Sequence, residues 1–368
     1  MKMDFFATAA FGLEGLTKQE LARLSIEGKC EMGGVRFSGT PADCFRANLW
    51  LRTADRVLMI IGEEKVSSFE ELFQFVSGLP WEKYLPRDAR FPVSGKCVRS
   101  QLMSVRDCQA ISKKAIVERL KKKYKTEWFK EDGPEYKVDV AIHGDMARVT
   151  LDTSGNALNK RGYRTWNGEA PIRETLAAAL IMLSPWKGNA PLWDPCCGSG
   201  TILVEAAYIK SNRAPGLTRS FACEQWPQFP KHEMTAIRKE AEEKFEPEKI
   251  TDIYGSDVDP SALEICKKHL KQAGLGGRVK VTQMDFRDLA APVEAPCFIA
   301  NPPYGERLSD RKQCEKLYHH LRLLQERHPE SRMCVITAHN GFERCFGRRA
   351  KQKRRLYNGR LECEYCIY

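Results

Sequence analysis

The chain lacks any long apolar run: nowhere do its 368 residues approach the roughly 18 uninterrupted apolar positions that a membrane span requires. Its start, Met1 to Phe6, leads into alternating strand-like sequence instead of the apolar core of a signal peptide, so a cytoplasmic protein is expected. Paired cysteine motifs are missing too. The 14 cysteines are scattered, as expected of reduced thiols, and Cys363-x-x-Cys366 has no partner pair at a suitable distance. Glu364, Tyr365 and Ile367 make that region read as a terminal strand, so no metal site is expected. Neither a helix-turn-helix nor a zinc-finger signature is present. Acidic residues are in deficit, 48 against 59 lysines and arginines, for a net charge of +11.

That surplus favours a polyanionic partner, because cations that neutralise phosphates release condensed counterions. Two local concentrations carry it. Lys113, Lys114, Arg119, Lys121, Lys122, Lys123 and Lys125 form one, read as a helix face. Arg348, Arg349, Lys351, Lys353, Arg354 and Arg355 form the other, read as a basic loop.

The length predicts two or three domains. In the first sixty-odd residues, strand-like Phe5–Ala9, Val35–Ser38 and Val57–Ile61 alternate with helical stretches near Leu13–Leu24 and Pro41–Leu51, a small α+β unit of βαβαβ order. A second unit follows Pro80-Trp81. It has a strand at Phe91–Val93, the basic helix near Asp107–Lys123, and strands Tyr136–Ile142 and Ala147–Leu151 around the turn His143-Gly144-Asp145. Nothing in these units looks catalytic, so a binding role is expected. From about residue 165, strand-then-helix repeats predict a parallel sheet covered by helices, an α/β fold. Its strands are expected at Pro191–Trp193, Ile250–Ser256, Val279–Gln283, Cys297–Ala300 and Met333–Thr337. One helix is well delimited, with Asp259 as N-cap, Pro260 in the first turn and a stop at Gly274.

Ligands of such sheets bind at the carboxyl ends of the strands, and here those ends carry unusual chemistry. The first runs Asp194-Pro195-Cys196-Cys197-Gly198-Ser199-Gly200-Thr201, a turn in which Gly198 and Gly200 allow a ligand close to the backbone. Val204 and Glu205 stand where a dinucleotide fingerprint would place its third glycine, which disfavours NAD. The second offers Asp257, suited to accept bonds from both hydroxyls of a ribose; Asp259 already serves the helix cap. The third offers Asp285 to an adenine amino group, with Met284 or Phe286 for the ring face. The fourth is Asn301-Pro302-Pro303-Tyr304-Gly305. Its prolines keep the backbone extended and their carbonyls available, Asn301 adds an amide acceptor, and Tyr304 a flat face. Two acceptors and a ring suit an sp² amine whose lone pair must be localised before it attacks an electrophilic methyl.

In these loops the sequence resembles class I S-adenosylmethionine-dependent amino-methyltransferases. It is closer still to the THUMP-domain RNA methyltransferases related to the large-subunit ribosomal RNA guanine-N2 methyltransferase, a group formerly labelled N6-adenine-specific DNA methylases. Lys160–Arg164, Ala170–Ala177 and Tyr357–Cys363 support the resemblance, which covers essentially the whole chain. It implies a ferredoxin-like segment over 1–64, a THUMP RNA-binding domain over 65–155 and a Rossmann-like methyltransferase domain over 156–368, with no second methyltransferase domain after Tyr368. It also implies that Asp194, Cys196, Gly198 and Gly200, with Thr175 nearby, line the methionine end of S-adenosylmethionine. Asp257 would hold the ribose, Asp285 the adenine, and Asn301, Pro302 and Tyr304 the target base.

The expected reaction is methylation of an exocyclic base amine in RNA, guanine N2 of 23S rRNA first, on naked RNA or a large-subunit assembly intermediate. Adenine-N6 methylation of DNA or RNA is the rival within the enzyme class, and a non-catalytic RNA-binding or assembly protein is the rival outside it. A fragment starting near Arg164 is expected to fold and bind cofactor unaided.

Overall fold

The computed structural model describes residues 2–164, 172–288, 295–304 and 308–368; Met1, Ala170, Pro171 and Gly305, named above, lie outside them. The amino-terminal half contains β1 (Met3–Ala9), α1 (Glu14–Arg23), β2 (Gly28–Glu31), β3 (Gly34–Gly39), α2 (Pro41–Trp50) and β4 (Ala54–Lys65). It continues through α3 (Phe69–Gly78), β5 (Val93–Val98), α4 (Val105–Tyr124), β6 (Val138–His143) and β7 (Met146–Asp152). Short polar caps start α2, α3 and α4. Thr40 and Asp43 bond reciprocally across the first turn of α2, and Ser104 Oγ accepts from Asp107 N at 3.3 Å to open α4.

These seven strands make one sheet, ordered β2-β3-β1-β4-β7-β6-β5. The 12-residue β4 joins its parts, pairing with β1 through Phe5↔Met59 and with β7 through Met59↔Leu151 to Lys65↔Met146. Two strands depart from expectation for identifiable reasons. Within β2, Gly28-Lys29-Cys30-Glu31 buries no side chain fully, so it carries no alternating signal. Phe91 is buried, but Pro92 has no N–H to donate, and β5 starts only at Val93.

The carboxyl-terminal half contains α5 (Glu174–Leu183), β8 (Leu192–Asp194), α6 (Thr201–Lys210), α7 (Lys231–Glu243), β9 (Ile253–Asp257), α8 (Pro260–Gln272) and β10 (Lys280–Gln283). After these come β11 (Cys297–Ala300), α9 (Leu308–Arg327), β12 (Arg332–Thr337), α10 (Phe342–Phe346), β13 (Gln352–Asn358) and β14 (Leu361–Ile367). The sheet runs β10-β9-β8-β11-β12-β14-β13, with β14 and β13 antiparallel to their neighbours. The order reverses at β8: β9 and β10 lie on one side and β11 and β12 on the other, which opens a crevice at the carboxyl end of β8. Asp259 Oδ1 accepts from Ser261 N at 2.8 Å, the cap expected for α8.

The second basic cluster is only half a loop: Arg348, Arg349 and Lys351 precede the last hairpin. Lys353, Arg354 and Arg355 lie on β13, the edge strand, where their exposure hides the strand from a reading based on apolar alternation. Cys363 and Cys366 sit on opposite faces of β14, one in the core beside Leu356 and Tyr365, the other beside Phe298 and Tyr368. They cannot ligate one ion together.

The halves are mutually embedded. Phe221, Trp226, Phe229 and Ile237, from the segment between α6 and β9, are buried in the core of the amino-terminal sheet. Trp226 stacks on Tyr136 at 4.6 Å and donates its indole N–H to Glu135 O at 2.9 Å. In return, Leu13 and Leu16 enter the core of the second sheet. Between them lies a buried polar cluster. Arg161 Nε stands 3.3 Å from Glu205 Oε1, both at most 1% exposed, and Arg161 Nη2 donates to Arg52 O at 2.6 Å. A fragment beginning at Arg164 would therefore strand Glu205 without its cation and expose Trp226. The expectation that it folds alone is withdrawn.

Candidate active site

The loop leaving β8 is held by carboxylates. Asp194, 2% exposed, accepts from Cys196 N at 3.1 Å. Burial pushes its pKa up to about 8; the Cys196 N–H opposes the shift and the Asp257 charge adds to it. Asp257 sits at the end of β9. Its Oδ2 accepts from Gly198 N at 2.8 Å and its Oδ1 from Asp259 N at 3.0 Å, so one side chain ties the first two strand ends together. Gly200 has φ +82°, and a Cβ there would stand 2.5 Å from Cys266 Sγ, so neither the backbone nor the space admits another residue. At Gly198 a Cβ would meet nothing within 4 Å: the backbone faces open space.

Asp285 follows β10 and is joined to the same place by Met284 N, which donates to Asp257 O at 3.0 Å. Its carboxylate is gripped by Arg287 through both oxygens, which holds its pKa below the usual range. Asp194, Asp257 and Asp285 all act on the Cys196 thiol, whose pKa is raised first by burial and then by those three charges. Of the three acids expected from separate strands, Asp194 holds the Cys196 backbone directly, while Asp257 and Asp285 are linked through Gly198 N and Met284 N. Phe286 is only 4% exposed and belongs to the core, so of the two residues expected at the adenine face, Met284 is the accessible one. Val258, 58% exposed between Asp257 and Asp259, is a further apolar candidate; its signal was an apolar residue between two acids at a strand end.

Thr175 is buried in the first turn of α5, and its hydroxyl donates to Asp55 Oδ1 of β4 at 3.3 Å, an inter-domain tie. The neighbouring segment has a structural role too: Arg161 pairs with Glu205, and Arg164 Nη2 donates to Thr201 Oγ1 at 2.7 Å.

After β11, Asn301-Pro302-Pro303-Tyr304 extends from the sheet. The carbonyls are not all free as expected: Tyr318 Oη of α9 donates to Pro303 O at 2.7 Å and lies 3.4 Å from Thr337 Oγ1 at the end of β12. The Tyr304 ring packs partly into the apolar core, and its hydroxyl donates to Asn301 Oδ1 at 2.5 Å. Burial raises its pKa first, with Cys363 and Asn358 beside it. The His339 ring, 6% exposed, lies 5.5 Å from Tyr318. Tyr318, Thr337 and His339 were missed in sequence because only their packing behind Pro303 connects them.

Family models match three parts of the chain: the RlmL ferredoxin-like domain over residues 4–58, the THUMP domain over 66–152, and the RMKL-like methyltransferase domain over 161–367. Over 100% of this chain and 96% of its own length, YpsC of Bacillus subtilis, named as a candidate RNA methyltransferase, is 42% identical. The ribosomal RNA large subunit methyltransferase K/L of Psychromonas ingrahamii is 33% identical over 98% of this chain, which spans 49% of that protein. Among solved structures, the methyltransferase candidate SMU.472 complexed with SAH superposes with a TM-score of 0.95 at 41% identity, covering 100% of this chain and 98% of its own.

Proposed function

This chain belongs to the RMKL-like methyltransferase family with a THUMP domain, and from that premise we propose that it is an S-adenosylmethionine-dependent RNA methyltransferase acting on an exocyclic amine, guanine N2 of 23S rRNA. The observation that carries the reading is the joining of three strand ends, Asp257 accepting from Gly198 N through its side chain and from Met284 N through its carbonyl, beside β11, which pairs with β8 and leads into Asn301. The residues fit the cofactor: Gly198 presents open space, and the carboxylates offer acceptors for a cation and for hydroxyl and amino hydrogens. When bound, the cofactor supplies a methyl on a sulfonium.

The chain's own residues do the rest. Asp257 and Asp285 orient, Asp194 sets a negative charge opposite a cationic end, and Asn301 Oδ1 with Pro302 O draws the two amine hydrogens toward tetrahedral geometry. Tyr304 must release Asn301 for this and can then support the base, which has to leave its stack to enter the site. The rate gain comes from positioning and electrostatic fit. Supporting RNA as substrate are the THUMP match and the names of the relatives.

The test is transfer of tritium from labelled cofactor to rRNA and to duplex DNA, followed by nucleoside analysis. N2-methylguanosine in 23S rRNA is the expected product. N6-methyladenosine would assign the amine otherwise, label in duplex DNA would move the substrate, and cofactor binding without turnover on any RNA would favour a binding protein.

A further inference from the structure

The loop between β1 and α1 reaches from the first sheet to the edge of the second. Gly12, at φ +88°, passes so close to β13 that a Cβ would stand 2.9 Å from Arg355 O, and Glu14 Oε2 accepts from Gly12 N at 2.8 Å. Leu13 is buried in the same core as Leu356, Cys363 and the inner side of Tyr304. Ala9 before Phe11 and Leu13 after it are both buried in that core, yet Phe11 itself is 60% exposed. Its ring meets Tyr357 of β13 edge-on, centroids 5.8 Å apart at 84°. Tyr357 is held in turn by its hydroxyl, which donates to Glu362 Oε2 at 2.8 Å.

Two rings at right angles form a step on which a flat molecule can lie against one face and abut the other. Its position is defined by the sheet: β14 runs antiparallel to β12, with Thr337↔Glu364 in register, so the β13–β14 turn stands at the carboxyl end where Asn301 lies. Tyr304 bridges the two places, bonded to Asn301 and beside Asn358, the last residue of β13. Cations flank the turn: among the described residues Arg354 and Arg360 form no ion pair, while Arg355 pairs with Glu362 at 3.3 Å. Aromatic faces interleaved with unpaired cations fit single-stranded RNA, stacking on its bases and following its phosphates.

We infer that Phe11 and Tyr357 form a stacking platform for an unpaired nucleotide flanking the target base, contributed jointly by the ferredoxin-like segment and the β13–β14 hairpin. This rests on the RNA reading above and assigns the amino-terminal segment a role at the mouth of the active site.

The test uses the whole protein and two probes: a fluorescein-labelled single-stranded octaribonucleotide of mixed sequence, and the same strand with abasic riboses. Phe11→Ala and Tyr357→Ala should each weaken binding of the first by about tenfold, within the usual range for a lost base–aromatic stack. Tyr357→Phe and Phe11→Trp should stay within twofold of wild type, and all five proteins should bind the abasic strand alike. With rRNA as methyl acceptor, the alanine variants should raise KM and leave kcat within twofold, melting temperature unchanged. A Phe11→Ala effect below twofold, or an equal loss on the abasic strand, overturns the platform even if rRNA is methylated. Wild-type protein that binds the octamer with these base-dependent effects but labels no RNA overturns the enzymatic reading and leaves the platform standing.

Discussion

The Tyr304 hydroxyl donates to the Asn301 amide oxygen at 2.5 Å, so the acceptor best placed for a target amine is already occupied before substrate arrives. Under the proposed function this bond is exchanged for one from the amine during turnover, and its worth appears as the nitrogen becomes tetrahedral. Asn301→Ala should therefore cost about 3–4 kcal/mol of barrier, or two to three orders of magnitude in rate, by analogy with a deleted oxyanion-hole donor. Single-turnover methylation at saturating RNA and cofactor measures it. A fall below threefold in a protein of unchanged melting temperature would remove Asn301 from the chemistry.

The same bond separates two roles of Tyr304. Tyr304→Phe keeps the ring and frees the Asn301 oxygen, so kcat should stay within about threefold of wild type. Tyr304→Ala loses the ring, and the productive RNA complex should weaken by about 1–3 kcal/mol, the usual value of base–aromatic stacking. Equal damage from both variants, read in KM and kcat, would mean that the hydroxyl and not the ring matters.

How much of this was legible in the sequence depends on what each residue's signal was. Asp194 and Asp257 were legible as strand ends because β8 and β9 are largely buried, and parallel strands bring their ends together; β10 is largely exposed along Lys280–Gln283, so Asp285 was placed only by its position after the third strand. The tie of Thr175 to Asp55 was not legible because the two lie 120 positions apart in different units. The strand β13 was hidden by its own lysines and arginines, which protect an edge and erase alternation. Least legible was the exchange of core residues between halves: Trp226 reads as an ordinary apolar residue of the second half until Tyr136 is seen beneath it.

That exchange makes the halves unfold together. Trp226→Ala should cost about 3–5 kcal/mol, the range for emptying a large aromatic site, and Glu205→Gln a comparable amount by leaving Arg161 unpaired. Calorimetry should show one transition, moved down in both variants. Two transitions, with only one displaced, would show the halves to be independent.

Asp257→Ala removes the acceptor shared by Gly198 N and Asp259 N as well as the proposed ribose ligand. Cofactor affinity should fall by about 1–3 kcal/mol, the cost of leaving such donors unsatisfied, while RNA affinity is unchanged. Isothermal titration with S-adenosylhomocysteine decides it, and unchanged affinity removes Asp257 from the site.

The last prediction concerns protons. Burial raises the Asp194 pKa from 3.8 to about 8, so at neutral pH the free folded protein holds a proton there that the unfolded chain has released. The linkage sign follows: this group's contribution to stability is fully present below the unfolded pKa of 3.8 and is lost as pH rises through about 8. Asp194→Asn should accordingly flatten the decline in melting temperature of the cofactor-free protein between pH 5 and 9. A cation placed beside Asp194 reverses the preference by favouring the carboxylate, so binding S-adenosylhomocysteine at pH 7 should release a proton and tighten as pH rises toward 8. Calorimetric titration in buffers of different ionisation enthalpy counts that proton directly. The ligand's own amino group can also exchange a proton on binding, and Asp194→Asn is the control that isolates the carboxyl. If the variant releases as many protons as wild type, Asp194 does not face the cationic end, and its burial is purely a matter of holding the Cys196 amide.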